Sequence, residues 1–406
     1  MREPPEGVSI WAMRKKSFPL GVYALPLVAA FMLPNLVTPL MELFRDEIGF
    51  SSGVLTVIFV CYLGGLAPAF LVAPSLGQVW GRKRMQLIAC GLGIVSCIFY
   101  IVGTNVGVLL IARVLTGLCT GLVLVLGPSA VQAVAGKDRI KQATFVATLG
   151  IAIGLAGGPL FAGFIAELLP WPTKTVFVLM AALLMLSLLV VLSEAESPTG
   201  PVKSWLPFKG LEASTGRIIV TGLGAFGPGM TAAAIILALA PTLLAGLGGA
   251  TGPLGAGLMA GGMYVMSPIA QTLVRRFTSM AHIRTSLALI ILAMVIFVFA
   301  VNSHNLILLV VSVGLMGAGQ GISNLGSFGL IHQYVEPPQI PGATAVLSLG
   351  VYASASIVPL AGGFLIDSRG LENAGFYMAM GVIAMALVGS LFAREKYARG
   401  VGKDAR

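Results

Sequence analysis

Twelve apolar runs, each long enough to cross a bilayer, punctuate this chain at residues 18–41, 54–73, 85–104, 106–130, 142–167, 172–192, 218–246, 251–273, 284–302, 304–330, 342–366 and 374–393. A spanning helix needs about 20 such residues, and in hydrocarbon only a helix or a closed barrel satisfies its own backbone polar groups. No water-soluble core could absorb these runs: 57% of the 406 residues are hydrophobic and 10% are charged, with a mean hydropathy of +0.96. The expected fold class is an all-α integral membrane protein with twelve transmembrane helices. Arg14, Lys15 and Lys16 precede the first run, which is longer than a signal-peptide core of about 7–15 residues and lacks a clear cleavage site, so it is read as the first helix.

The runs form two sets of six, and the sets are diverged copies. Residues 148–164 read TLGIAIGLAGGPLFAGF, and residues 348–364 read SLGVYASASIVPLAGGF. Leu149, Gly150, Pro159, Leu160, Gly163 and Phe164 match Leu349, Gly350, Pro359, Leu360, Gly363 and Phe364 at an offset of 200. Gly117 and Gly121 recur as Gly317 and Gly321, and Gln78 begins a segment echoed from Gln271. Thr38-Pro39-Leu40 is echoed within residues 239–243. The expected architecture is two pseudo-symmetric six-helix bundles at 18–192 and 218–393, joined by a linker at 193–217 and flanked by tails at 1–17 and 394–406. Such a duplicated membrane protein places its site at the interface of the halves and works by rocking one against the other.

The net charge of +10 resolves into topology once the charges are placed. Basic residues gather at Arg82, Lys83 and Arg84; Lys137, Arg139 and Lys141; Lys203, Lys209 and Arg217; Arg275, Arg276 and Arg284; and in both tails. These segments alternate along the chain as cytoplasmic segments must under the positive-inside rule. Both termini are therefore expected in the cytoplasm, with the chain in the plasma (inner) membrane. Trp205 in the linker suits the interface, and the basic excess does not point to nucleic acid.

An enzyme is not expected. Cys61, Cys90, Cys97 and Cys119 form no metal-binding spacing, and GLGGATG at 246–252 follows no strand, so neither a metal nor a cofactor is implied. Without a nucleotide site, transport must run on a gradient or be passive. Arg113 stands about 10 Å into its helix at 1.5 Å per residue, where a cation either snorkels or faces water, a carboxylate or a substrate. Thr116 and Thr120 share its stripe, and helix ten has Val313 in its place. Helix one carries Asn35 and Thr38 between Pro34 and Pro39 and closes on Glu42, which is either a surface acid or a proton acceptor. Gln320 and Asn324, one turn apart, either bind a ligand or bridge helices. Glu167 and Asp367 occupy equivalent outer ends and are expected to be exposed, and His332 and Glu336 are expected in a loop.

Three motifs carry a family resemblance. In 74–84, PSLGQVWGRKR, the residues Leu76, Gly81, Arg82, Lys83 and Arg84 resemble the loop between helices two and three of the major facilitator superfamily. Pro74 and Gln78 depart from it. The family usually has aspartate at the second position, where it helps latch the halves on the cytoplasmic side, so the resemblance implies a neutral latch. Arg113, Gly117 and Gly121 are similar to the helix-four motif, whose arginine lines the cavity and is tied to proton movement. Gly150, Gly154, Gly158, Pro159 and Gly163 resemble the antiporter signature of the drug:proton exporters; helix packing alone would also use such spacing. The resemblance implies a proton-coupled exporter of small, fairly apolar compounds, in which Glu42 and Arg113 handle the proton. Asn35, Thr38, Tyr62, Arg113, Thr116, Phe226, Met230, Tyr264, Gln320, Asn324 and Tyr352 would shape the pocket, and Pro359 would join the gating elements. The alternative is a facilitator or exchanger of an organic anion held by Arg113. A receptor on the same fold would need a soluble sensing domain, for which the short tails leave no room. The expected partners are the substrate, protons and lipid, with the protein acting as a monomer.

Overall fold

The computed structural model describes residues 18–195, 199–201, 211–246 and 252–393. The tails at 1–17 and 394–406, and Lys203, Trp205 and Lys209 of the linker, lie outside the described residues. A short 3-10 turn, Leu20–Ala24, leads into α1 (Leu25–Ile48). The helices α2 (Ser52–Val79), α3 (Arg82–Ile101), α4 (Val106–Ala135), α5 (Ile140–Leu168) and α6 (Pro172–Ser193) complete the first half. The second half holds α7 (Ala213–Gly246), α8 (Gly252–Val274), α9 (Ser279–Asn302), α10 (Leu306–Tyr334) and α11 (Ile340–Phe392). α11 breaks at Gly370 (φ 79°, ψ 169°) into two arms, which cover the last two expected spans. Among the described residues, ten helices are long and apolar enough to cross a membrane by composition alone. The glycine-laden α8 is not one of these.

Most helices extend past their apolar runs. α2 continues to Val79, α4 to Ala135 and α10 to Tyr334, and α7 starts at Ala213, inside the expected linker. His332 accordingly sits in the last turn of α10 and not in a loop. Polar caps set several starts. The Asn105 side chain accepts the Val108 N–H at the head of α4, and Asn305 accepts that of Leu308 at the head of α10, each at 3.1 Å. These caps are 200 residues apart, so the duplication preserved the helix start as well as the glycines. Gly49 (φ 79°) ends α1 in the left-handed conformation.

Within each half the glycines set how closely helices approach. A Cβ on Gly117 would collide with the Tyr62 carbonyl, and one on Gly317 with the Met263 carbonyl, so α2 and α4 cross as α8 and α10 do. The end bearing Arg82–Arg84, Arg275 and Arg276 is here termed the basic end, and the opposite end the far end.

Candidate functional site at the interface of the halves

The prolines of α1 and α7 organise the interface. A proline inside a helix cannot donate to the carbonyl four residues earlier, and a buried orphan carbonyl must find another donor. Pro34 frees Ala30, whose carbonyl accepts the Thr120 hydroxyl at 2.8 Å. Pro241 frees Leu237, whose carbonyl accepts the Thr38 hydroxyl, also at 2.8 Å, across the two halves. The kinks are thus the sites at which neighbouring helices dock. Asn35 is spent within α1, donating to the Phe31 carbonyl at 2.8 Å.

Arg113 is 1% exposed. Its Nη1 donates to the Pro34 carbonyl at 3.0 Å, and its guanidinium lies 5.7 Å from the centre of the Phe59 ring. Nε and Nη2 are buried with no hydrogen-bond partner, as is the nearby Tyr100 hydroxyl. Such unpaired N–H groups carry the full cost of desolvation. The expected stripe divides by target: Arg113 and Thr120 reach α1, whereas the Thr116 hydroxyl meets Ser96 on α3 at 2.7 Å and the Ala112 carbonyl. Thr116 therefore lies inside the first half, apart from the interface.

Tyr62, Tyr264 and Tyr352 come together from α2, α8 and the first arm of α11, with Thr120 and Arg113 in reach of Tyr62. Tyr352 packs on Phe70 with ring centres 5.9 Å apart. Phe226 is buried beside Phe328, and Met230 on α7 lies 4.0 Å from the Gln320 side-chain nitrogen. Asn324 is half-buried one turn from Gln320. The assembled set draws on both halves and is aromatic and neutral apart from Arg113.

The halves are sealed at the far end. A Cβ on Gly163 would lie 2.7 Å from the Pro253 carbonyl, and Gly257 packs on the Pro159 carbonyl, so α5 and α8 cross at their backbones. Gly363 makes the equivalent crossing against Ser52 and Thr56 of α2. Gly150, Gly154 and Gly158 face inward instead, against Ala24 of the leading turn and Phe31 and Met32 of α1. Pro359 is buried at the α2 crossing, where Thr56 reaches the Leu360 carbonyl at 3.5 Å. Glu42, read as either a surface acid or a proton acceptor, pairs with Arg45 and accepts the Thr242 hydroxyl at 2.6 Å from the other half. Thr242 was not foreseen, although its place one full repeat on from Glu42 was a signal.

At the basic end, Gly81 (φ 83°) starts α3, Arg82 donates to the Ser129 carbonyl at 2.9 Å, and Lys83 donates to the Glu194 carbonyl at 2.8 Å. The Gln78 carbonyl accepts the Gly200 N–H at 2.9 Å. The loop's cations thus serve helix ends within their own half. Burial raises the Glu194 carboxyl to about 7, against the opposing pull of Arg82, Lys83 and a hydrogen bond from Gln86. A separate cavity of about 350 Å³, lined by Arg217, Thr221, Met280, Tyr334 and Phe392 among others, lies in the second half at this end and contains none of the expected residues.

Comparison with known proteins agrees with this geometry. The chain is 28% identical over 182 residues to Multidrug resistance protein 1 of Bacillus subtilis, covering 42% of this chain and 45% of that protein. It is 29% identical over 181 residues to the multi-drug resistance efflux pump PmrA of Streptococcus pneumoniae, covering 41% and 42%. The matches thus span less than half the length of either relative. Among solved structures, a mutant form of the nucleoside transporter NupG superposes with a TM-score of 0.74 at 12% identity, covering 92% of this chain and 99% of that one. A D-xylose-proton symporter superposes at 0.71 and 15%, covering 92% and 97%. At such identities the likeness carries the fold alone. The model of one family matches residues 24–303, well over half of the sequence. Its two halves and membrane-spanning helices agree with that match, and the chain belongs to the Major Facilitator Superfamily.

Proposed function

We propose that this protein is a secondary active transporter that exports small, fairly apolar compounds in exchange for protons. It works by alternating access as a monomer in the plasma membrane, with the basic end and both termini in the cytoplasm. The observation that supports this reading best is the neutral aromatic group of Tyr62, Phe70, Tyr264 and Tyr352, drawn from both halves. Rings of this kind bind flat apolar solutes through contact area, with few polar demands. The likeness to two multidrug efflux proteins agrees with that chemistry. In this reading Asn35, Thr38, Phe226, Met230, Gln320 and Asn324 contribute to the same pocket, and protonation of Glu42 or relay through Arg113 exchanges against substrate. The two-bundle organisation at 18–192 and 218–393, with a cytoplasmic linker at 193–217, is part of this reading.

The test is a growth screen of expressing cells against toxic compounds, paired with substrate-driven pH change in proteoliposomes. Resistance that depends on the intact protein, together with proton movement opposite to substrate, is the expected result. Hypersensitivity would reverse the direction, and transport without proton flux would remove the coupling.

One observation favours a second reading. Arg113 is buried with two of its nitrogens, Nε and Nη2, unpartnered, and among the described residues no carboxylate pairs with it. An organic anion would supply the missing charge. In that case Arg113→Ala raises the KM for an anionic substrate tenfold or more, a loss of about 1.4 kcal/mol in binding, and unchanged KM excludes this role.

A further inference from the structure

We propose that Asp367 is a gating residue of the transport cycle: its carboxylate, at the far end of the first arm of α11, grips the start of α2 in the opposite half and holds the far end shut. Oδ1 accepts the Ser52 N–H at 2.9 Å and Oδ2 accepts the Gly53 N–H at 2.7 Å. The first four N–H groups of a helix have no partner within it. The first three residues of α2 are all served: Ser52 and Gly53 bond to Asp367 and Val54 to the Ser51 hydroxyl at 3.3 Å, while Leu55 begins the helix's own ladder on the Ser51 carbonyl at 3.0 Å. A local side chain therefore serves one of the three, and a residue more than 300 positions away serves the other two.

The carboxylate also lies at the positive end of the α2 dipole, where a negative charge is favourable. The nearest cation in sequence, Arg369, is turned away onto the Tyr377 ring and hydroxyl. Space is reserved for the contact: a Cβ on Gly53 would come within 2.6 Å of the Phe364 ring and 3.0 Å of Asp367 Oδ2. An acid stands at the equivalent place across the pseudo-symmetry. Glu167, 200 residues earlier at the end of α5, places Oε2 3.3 Å from where a Cβ would stand on Gly252, the first residue of α8.

This bond joins different halves, so it exists only while the far end is closed. An ordinary cap within one half would stabilise both states equally and shift nothing. Asp367 instead weights the equilibrium toward the closed far end, and Glu167 adds a smaller increment. The inference rests on the alternating access proposed above.

The experiment uses the full chain in lipid nanodiscs, with the native cysteines replaced and spin labels introduced by Lys174→Cys and Asn302→Cys at the far ends of the two halves. In the parent protein, pulsed dipolar spectroscopy should give a short distance in exchange with a longer one. Asp367→Asn keeps the shape but loses the charge, and should raise the ratio of long to short distance about fivefold. Gly53→Ala, on the other half, should do the same by displacing the carboxylate. Asp367→Glu should restore most of the parent ratio, and Glu167→Gln should have the smaller effect. A parent that exchanges while both Asp367→Asn and Gly53→Ala leave its ratio unmoved overturns the gate alone. A parent with one fixed distance, whatever the substrate or pH, overturns alternating access and the gate with it.

Discussion

Residues 148–164 and their copy at 348–364 do one job with differently placed glycines. At both ends the two stretches agree. Gly150 touches Ala24, in the turn that leads into α1, and Leu27 of α1, and Gly350 touches Leu223 of α7, so each meets the start of its own half. Gly163 and Gly363 both press on a backbone of the opposite half. In the middle they diverge: Gly154 lies against Phe31 and the Val28 carbonyl, but its counterpart is Ser354, and there the glycine sits on the facing helix as Gly227, with a Cβ position 3.1 Å from the Ser354 hydroxyl. What the duplication kept is the close approach of helices. Which partner supplies the missing side chain was free to change, because either choice brings the backbones together.

The strongest way to break this comparison is at the shared cross-half position. Gly163→Val places a branched side chain against the Pro253 carbonyl and the α8 backbone, which cannot rotate away. Overpacking of this kind costs about 1–3 kcal/mol, and all of it falls on the far-end-closed state. Transport should drop at least tenfold while the purified protein still elutes as one folded species. Gly363→Val should behave alike, and activity near that of the parent in either variant would show that the crossing is not a gate.

The divergent middle predicts an asymmetry. Gly154→Ala meets the Val28 carbonyl at 2.6 Å, whereas Gly227→Ala meets only a serine hydroxyl that can turn. The first should lower the melting temperature of detergent-solubilised protein by several degrees, and the second should leave it within about a degree. Equal effects would mean that glycine itself, and not the approach it permits, was what each half retained.

Smaller again is the loss at Thr38→Val, which removes the donor to the Leu237 carbonyl and keeps the side-chain volume. A buried carbonyl left without a partner costs about 1–3 kcal/mol, and this one is left so only when the halves meet. Exchange between the two far-end distances should shift toward the open one, without loss of substrate affinity if Thr38 acts as a clasp. A raised KM would place Thr38 in the pocket instead.

The same comparison shows what the sequence could reveal. Twelve spans, the two halves and their pairing follow from apolar runs and a fixed offset, since hydrocarbon leaves a spanning chain few choices. Arg113 was conspicuous because a cation at that depth has few reasons to exist. The contacts between halves were not legible. Glu167 and Asp367 could be matched to each other as equivalent acids, but only the folded chain shows Asp367 bonded to the start of α2, because nothing in a helical pattern names the residue across an interface. Helical spacing puts Thr116 on the face of Arg113, but it assigns a face to a side chain and not the neighbour that meets its hydroxyl, Ser96.

Glu194 tests the comparison where the halves are least alike. It closes α6 in the first half, and the residue 200 positions on is Arg394, so no acid matches it. Its backbone carbonyl holds Lys83 and its carboxylate lies 3.4 Å from the Gln86 amide. Burial lifts this carboxyl above its ordinary range to about 7, more than Arg82, Lys83 and Gln86 pull it down. The folded state thus binds the proton more tightly than the unfolded chain does. The resulting stabilisation is complete below the ordinary carboxylate range, near pH 4.3, and is lost as the pH rises through about 7. Raising the pH from 6 to 8 should therefore lower the melting temperature by a few degrees, and Glu194→Gln, which stays neutral, should remove that dependence. If the variant keeps the full pH dependence, the titrating group lies elsewhere; if the parent gains stability on going to pH 8, then Arg82 and Lys83 outweigh burial, and the cationic loop, not the protonated acid, holds the end of α6.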